Sequence, residues 1–279
     1  MNIEAPPPVL LGRSIERLCD ILYRTTGMIF GEKKRYYPER RVAERMRRIA
    51  ITDIDRYLLL LERDPYERQL LVNAVTINET YFFREEHQLA ALVNEILPKI
   101  VAAKRPGDFV RIWSMPCSTG EEAYSIALWL LEHWALVDAY NIEIVGSDID
   151  THALDAAREG RYAARALARL PATVIEAYFE PELHHRRKIV DDLRESVLFT
   201  QTNLIDSVSV AAQGKFDVIL CRNLLIYFDE VSRARAAEHL HDALVPDGFL
   251  CLGHSESMGR IDQRFTLVRL ADAIVYRRG

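Results

Sequence analysis

Phe109-Val-Arg-Ile-Trp-Ser-Met-Pro-Cys-Ser-Thr-Gly-Glu-Glu122 reads as a strand, a tight turn and the opening of a helix. The apolar run fits a buried strand, the small residues after it fit a close turn, and the helix is expected to continue to Val137. Downstream the same grammar repeats. Ile142-Glu-Ile-Val-Gly146 is a strand before a helix over Thr151 to Glu159, and Phe216-Asp-Val-Ile-Leu-Cys221 precedes a helix over Glu230 to Leu244 and a strand Phe249-Leu-Cys-Leu252. Alternation of this kind predicts an α/β domain with a mostly parallel sheet covered by helices on both faces. Phe265 to Leu270 and Ala273 to Arg277 are separated by a tight connection, so an antiparallel hairpin is expected on the sheet edge. Between 160 and 215 the pattern loosens, and Lys188-Ile-Val190 is expected to pair with Ser196-Val-Leu-Phe199 as a small excursion.

Toward the N-terminus the period changes to that of helices. Arg13 to Thr26 carries Ile15, Leu18, Cys19, Ile21 and Leu22 at helical spacing and stops at Gly27; Pro38 opens a helix with Val42, Met46 and Ile49 on one face. Asp53 and Asp55 sit in the first turn of a third helix reaching Arg63, and Pro65 separates it from a fourth, Tyr66 to Val75. A fifth is expected over Glu86 to Leu97. The division is thus an all-helical domain over 1–76 and an α/β domain over 77–279. A content of 49% hydrophobic residues supports a packed core, and a net charge of -5 over 279 residues means that a charged partner must be met by a local patch. Cys19, Cys117, Cys221 and Cys251 form no Cys-x-x-Cys pair, which argues against a zinc site or disulfide framework and for a reduced, cytoplasmic setting. The first residues have no basic n-region or apolar h-region and no run of about 18 apolar residues occurs, so a secretory route and membrane insertion are not expected.

In an open parallel sheet, ligands bind at the carboxyl ends of the strands. Small residues at 117–120 permit close backbone approach, while Glu121 and Glu122 would repel a pyrophosphate and welcome an ammonium or sulfonium. A plain strand-to-helix turn is the alternative. Asp148, 28 residues after Gly120, stands where a carboxylate accepts both hydroxyls of a ribose, and Asp150 before Thr151 fits the N-cap role. Asn223 and Tyr227 follow the strand ending at Cys221, although a buried tyrosine with a satisfied hydroxyl would look the same. Thr202-Asn-Leu204 offers an amide and an apolar contact suited to an adenine.

With Asn78-Glu-Thr-Tyr-Phe-Phe-Arg84 before them, the segments Cys117 to Glu122, Ser147-Asp-Ile-Asp150, Cys221-Arg-Asn223 with Ile226 to Asp229, and Gly253-His-Ser-Glu256 jointly resemble the CheR family of chemotaxis receptor methyltransferases. The resemblance runs from about residue 13 onward. It implies an N-terminal helical domain followed by a Rossmann-like class I S-adenosylmethionine-dependent methyltransferase domain, with a small β-subdomain inserted at about 160–200. It implies protein-glutamate O-methylation, with S-adenosylmethionine held by Asn78, Thr80, Arg84, Glu122, Asp148, Asn203, Leu204, Asn223 and Leu224, and with Arg84 and Tyr227 beside the transferring methyl. The product would be S-adenosylhomocysteine and the partner the cytoplasmic domain of a methyl-accepting chemoreceptor. No metal is called for, and a monomer is expected. Asn223-Leu-Leu departs from the Asn/Asp-Pro-Pro-aromatic arrangement that nucleic-acid amine methyltransferases resemble, so no nucleic-acid substrate is expected.

Gly31 to Ala50 holds eight basic residues against three glutamates, and helical spacing gathers Arg41, Arg45 and Arg48 into a patch suited to a glutamate-rich receptor helix. A solvated face or a nonspecific nucleic-acid patch is the plainer reading of such a run. The stretch Phe179-Glu-Pro-Glu-Leu-His-His-Arg-Arg187 lacks the glycine-containing loop of relatives that dock on a receptor's tail pentapeptide, so activity independent of tail docking is expected. Two other readings stand beside the enzyme: a signalling module that keeps the cofactor pocket without turnover, and a small-molecule carboxyl methyltransferase.

Overall fold

The computed structural model describes residues 12–279, and the proline run at 6–8 lies outside them. The described residues form two compact units: one runs to Ile77 and includes Tyr227–Ser232, and the other comprises Asn78–Ile226 and Arg233–Gly279.

The first unit contains α1 (Gly12–Thr26), α2 (Tyr36–Arg48), α3 (Ile54–Arg63) and α4 (Pro65–Val75). Gly27 takes a φ of 74°, the left-handed value that lets the chain leave α1. Asp53 and Asp64 cap α3 and α4 through their carboxylates, and Pro65 supplies the first helical position of α4. Leu18, Leu22, Val42, Met46, Leu58, Leu61, Leu71 and Val75 form its core. Through that core runs one ion pair. Arg45 donates to both oxygens of Glu67 at 3.0 and 2.6 Å, and the Tyr57 hydroxyl donates to the same carboxylate at 2.8 Å. Arg45 therefore ties α2 to α4, with only 11% of its side chain exposed. Arg41 pairs with Glu44 and lies over the Tyr37 ring, and Arg48 is exposed. Tyr227–Ser232 joins this unit through a backbone bond from Ile29 to the Tyr227 carbonyl at 2.9 Å and a bond from the Tyr23 hydroxyl to Asp229 at 3.0 Å.

The second unit opens with α5 (Glu86–Ala91), a π-helical turn Leu92–Ile96 and α6 (Leu97–Val101). The helix thus runs past the expected Leu97, because the wide turn accommodates Pro98 and its missing N–H. The main sheet holds β1 (Phe109–Ser114), β2 (Asn141–Asp148), β5 (Val197–Gln201), β6 (Phe216–Cys221), β7 (Leu244–Leu252), β8 (Phe265–Arg269) and β9 (Ile274–Arg278), in the order β5-β2-β1-β6-β7-β9-β8. The first five are mutually parallel, and the expected antiparallel hairpin β8–β9 completes one edge. Helices α7 (Glu121–His133), α8 (Thr151–Glu159) and, later, α12 (Ser207–Ala211) and α13 (Glu230–Ala243) connect the strands. α7 stops four residues short of the expected Val137, where Trp134 turns extended and buries its ring against Tyr140.

The excursion differs from the expected pairing. β4 (Arg186–Lys188) pairs antiparallel with β3 (Arg161–Ala163), not with the stretch beginning at Ser196, which joins the main sheet as β5. The reason lies in Gly146: a Cβ there would come within 2.7 Å of the Phe199 ring, so glycine opens the space that lets β5 lie beside β2. Asp191–Glu195 is a short helix, α11, and α9 (Ala164–Leu167) and α10 (Ala172–Tyr178) complete the insert. Its β4 end turns through His184 and His185, both at positive φ, between reciprocal backbone bonds of Leu183 and Arg186. That is a two-residue hairpin built without glycine.

Removing Arg45 would leave the Glu67 carboxylate buried without its counter-ion. Arg45→Ala is expected to destabilise the helical unit by about 3–5 kcal/mol in urea unfolding of the full chain, whereas Arg48→Ala should cost under about 0.5 kcal/mol. Equal, small effects of the two would contradict this placement.

Candidate active site

β1 has β2 on one side and β6 on the other, so the strand order reverses beside it and the carboxyl ends of these three strands frame a crevice. Ser114, Asp148 and Cys221 are the last residues of those strands. The loops after β1 and β6 and the segment before α5 are set in unusual conformations: among the described residues, Ser118, Asn223, Phe83 and Glu85 take φ between 50° and 59° without being glycine. Such backbones cost of order 1 kcal/mol each and persist where the surrounding structure holds them, often at functional sites.

Asp148 is 3% exposed. The Ser118 amide donates to its Oδ2 at 2.8 Å and the Asp150 amide to its Oδ1 at 2.9 Å, and the Ile149 amide also supports the charge, so an ionised carboxylate with about four lone-pair sites keeps acceptor capacity. Burial pushes its carboxyl up to about 6, against the opposing pull of the Asp150 and Ser118 amides. Asp150 caps α8 as expected, and its other oxygen accepts from Asn78 at 2.7 Å. Asn78 in turn accepts from the Ser118 hydroxyl at 3.1 Å, so Asn78, the turn after β1 and the end of β2 form one connected group.

The acidic pair at the start of α7 separates in role. Glu121 is buried beneath Thr119, whose hydroxyl donates to it at 2.6 Å. Glu122 accepts from the Ser114 hydroxyl at 2.7 Å and from Arg222 at 3.0 Å. Burial pushes the Glu122 carboxyl up, and the Arg222 guanidinium and the Ser114 hydroxyl draw it down. Arg84 also lowers it by charge, while one Arg84 N–H is spent on the Glu79 carbonyl at 2.9 Å. Leu204 is buried, with its carbonyl bonded to His239, and Asn203 closes its turn onto the Ile205 amide. Thr80 and Leu224 are half-buried. The Asn223 amide donates to Glu256 at 2.7 Å, and the same Glu256 oxygen accepts from Gly253 at 2.9 Å, which explains why the Gly253-to-Glu256 segment belongs with this loop. Tyr227 falls with the helical unit.

The matching family descriptions divide the chain near Ile77, where the structure divides it apart from Tyr227–Ser232. Residues 78–274 match the CheR methyltransferase SAM binding domain and residues 13–76 the CheR methyltransferase all-alpha domain. The chain belongs to the CheR methyltransferase family. It is 45% identical over 93% of its length, and 91% of the relative's, to Chemotaxis protein methyltransferase 2 of Vibrio cholerae. It is 38% identical to Chemotaxis protein methyltransferase 2 of Pseudomonas aeruginosa, covering 91% of this chain and 89% of that one. With Chemotaxis protein methyltransferase of Escherichia coli it shares 34% identity over 90% of this chain and 86% of that one. This CheR protein is thus an S-adenosylmethionine-dependent methyltransferase with an all-helical N-terminal domain and a SAM binding domain. The donor set fits that cofactor: a buried carboxylate with lone pairs left for two adjacent hydroxyls, amides beside it, and an acidic rather than phosphate-binding turn.

Arg222 is a site residue that the motif spacing does not single out. A signal exists nonetheless, since an arginine directly after a fully buried strand must find an acidic partner.

Only the ionised Asp148 can accept two hydroxyls while keeping its amide donors. Affinity for S-adenosylhomocysteine should therefore fall as pH drops below about 6, approaching about ten-fold per pH unit, with proton release on binding near pH 6. Calorimetry in buffers of different ionisation heat reads both, and affinity constant from pH 7 to 5 would contradict the assignment.

Proposed function

We propose that this CheR protein methylates glutamate side chains in the cytoplasmic domain of a methyl-accepting chemoreceptor. The observation that carries the reading is the 45% identity, over nearly the whole of both chains, to a chemotaxis protein methyltransferase. The cofactor supplies a methyl group already activated on a sulfonium. A glutamate carboxylate is ionised at neutral pH and is itself the nucleophile. Its oxygen bonds to the methyl carbon as the carbon–sulfur bond breaks, leaving an ester and a neutral thioether, so no proton has to move. What remains for the protein is alignment and exclusion of water.

In this reading Asp148 holds the ribose, Asn203 and Leu204 the adenine, and Asn78, Thr80, Glu122, Asn223 and Leu224 the rest of the cofactor. Arg84 orients the incoming carboxylate through charge-assisted hydrogen bonds, and the Tyr227 hydroxyl fixes its second oxygen or the cofactor. The receptor-facing surface is the exposed part of α2, with Arg41 and Arg48 contributing charge, while Arg45 serves the Glu67 pair. The setting is cytoplasmic; no helix among the described residues is long and apolar enough to cross a membrane.

Incubation with labelled S-adenosylmethionine and receptor-bearing membranes should yield a base-labile labelled band of receptor size; label that resists base would contradict ester formation. Arg84→Ala should lower turnover by about 100-fold or more. The Arg41→Glu/Arg48→Glu double variant should slow receptor methylation by about ten-fold at low salt, with the deficit shrinking in high salt and affinity for S-adenosylhomocysteine unchanged. Equal loss of both would argue against a docking role. The insert's glycine-free His184–His185 turn supports tail-independent action, so the receptor tail pentapeptide should give no binding heat; micromolar binding would overturn this.

A further inference from the structure

Arg222 is 4% exposed and makes three contacts with charged or polar partners from two other parts of the catalytic unit. One guanidinium nitrogen donates to Glu122 at 3.0 Å, and the other donates to the Arg84 carbonyl at 2.7 Å and lies 3.2 Å from Glu85. Glu85 in turn lies 2.9 Å from the His254 ring. One buried cation thus stands between the carboxylate that opens α7 and the backbone of the segment carrying Arg84.

Removing it would have two separate consequences. Glu122 would lose its counter-ion in a place where burial already disfavours charge, and the Arg84 carbonyl would lose its donor. The planar fork of arginine serves both at once, whereas a lysine ammonium is a single point of charge on a flexible stem.

From this geometry we infer that Arg222 is a positioning residue for methyl transfer: it keeps Glu122 ionised toward the cofactor and fixes the backbone that presents Arg84. The inference deepens the proposed reading of Glu122 and Arg84 and rests on their assigned places beside the cofactor. It is independent of which protein is methylated.

The charged and titratable groups around Glu122 are Arg222, Glu85 and Arg84, with Cys117, Cys221 and Cys251 also sensing its charge. Burial pushes all three thiols up, so they stay neutral through the physiological range. Glu121 is held by Thr119, and His254 faces Glu85 rather than Glu122.

The test measures the dissociation constant of S-adenosylhomocysteine from pH 5.5 to 8.5 for the parent chain, Arg222→Met and Arg222→Lys, with circular dichroism as the folding control. The parent should lose affinity toward acid pH, through Asp148 near 6 and through Glu122, whose carboxyl burial also raises. In Arg222→Met, Glu122 titrates higher, so the acid loss of affinity should extend to higher pH than in the parent and the deficit should shrink toward pH 8.5. Arg222→Lys keeps the charge and should keep the parental pH profile. It should nonetheless lower kcat for receptor methylation by about ten-fold or more at saturating cofactor, because one ammonium does not replace the fork on the Arg84 carbonyl. Loss of affinity by one factor at every pH in Arg222→Met, or parental affinity throughout, would overturn the charge role. Parental kcat in Arg222→Lys would overturn the Arg84 role. Should Arg222→Met fail to fold, Arg222→Lys decides alone through its parental pH profile and reduced kcat, both of which must appear. If the parent chain methylates no receptor but the affinity effects occur, the receptor reading fails while the charge role stands.

Discussion

A carboxylate buried at the end of a parallel strand is the constraint around which the catalytic unit is arranged. Asp148 is nearly sealed from solvent, and its charge is supported by two backbone amides that exist in the right place only because the turn after β1 and the turn after β2 are both closely held. Ser118 meets this need with a left-handed backbone, and Asp150 does so while also capping α8 and receiving Asn78. Burial raises the energy of the charge, and a ligand with paired hydroxyl donors lowers it again. That difference is available for binding. Glu122 repeats the theme with an arginine where Asp148 has amides, so the pocket contains two acids whose ionisation is supported in different ways.

The helical unit solves an opposite problem with the same chemistry. There a buried arginine and glutamate join two helices, and the tyrosine that completes the group has its hydroxyl pushed up by burial and by Glu67. Charge inside this CheR protein is therefore of two kinds. Some of it, such as Arg45 with Glu67, is consumed by the fold. Some of it, as at Asp148, is left with unfilled acceptor capacity.

Much of this is legible in the order of the residues alone. The four N-terminal helices announce themselves by apolar spacing, by Gly27 and Pro65, and by the capping aspartates; the parallel strands announce themselves by short, largely apolar runs. Asp148 is legible because its position after a strand leaves it without the capping role that Asp150 takes. What is not legible depends on partners far apart in the chain. Arg45 looks like one more basic residue on an amphipathic helix until Glu67, 22 positions away, is found against it. Arg222 lies 100 positions from Glu122, and no periodicity connects them. The pairing of β4 with β3 is hidden because two short strands flanking a charged stretch look like a hairpin, whereas the space over Gly146 draws the second into the main sheet.

Asp148 is the group proposed to receive the sugar of the cofactor. A crystal structure of the chain with S-adenosylhomocysteine should hold both ribose hydroxyls within about 2.5–3.0 Å of the Asp148 oxygens, with the Ser118 and Asp150 amides still donating to them. A ribose bound elsewhere, with Asp148 touching only those amides, would contradict it.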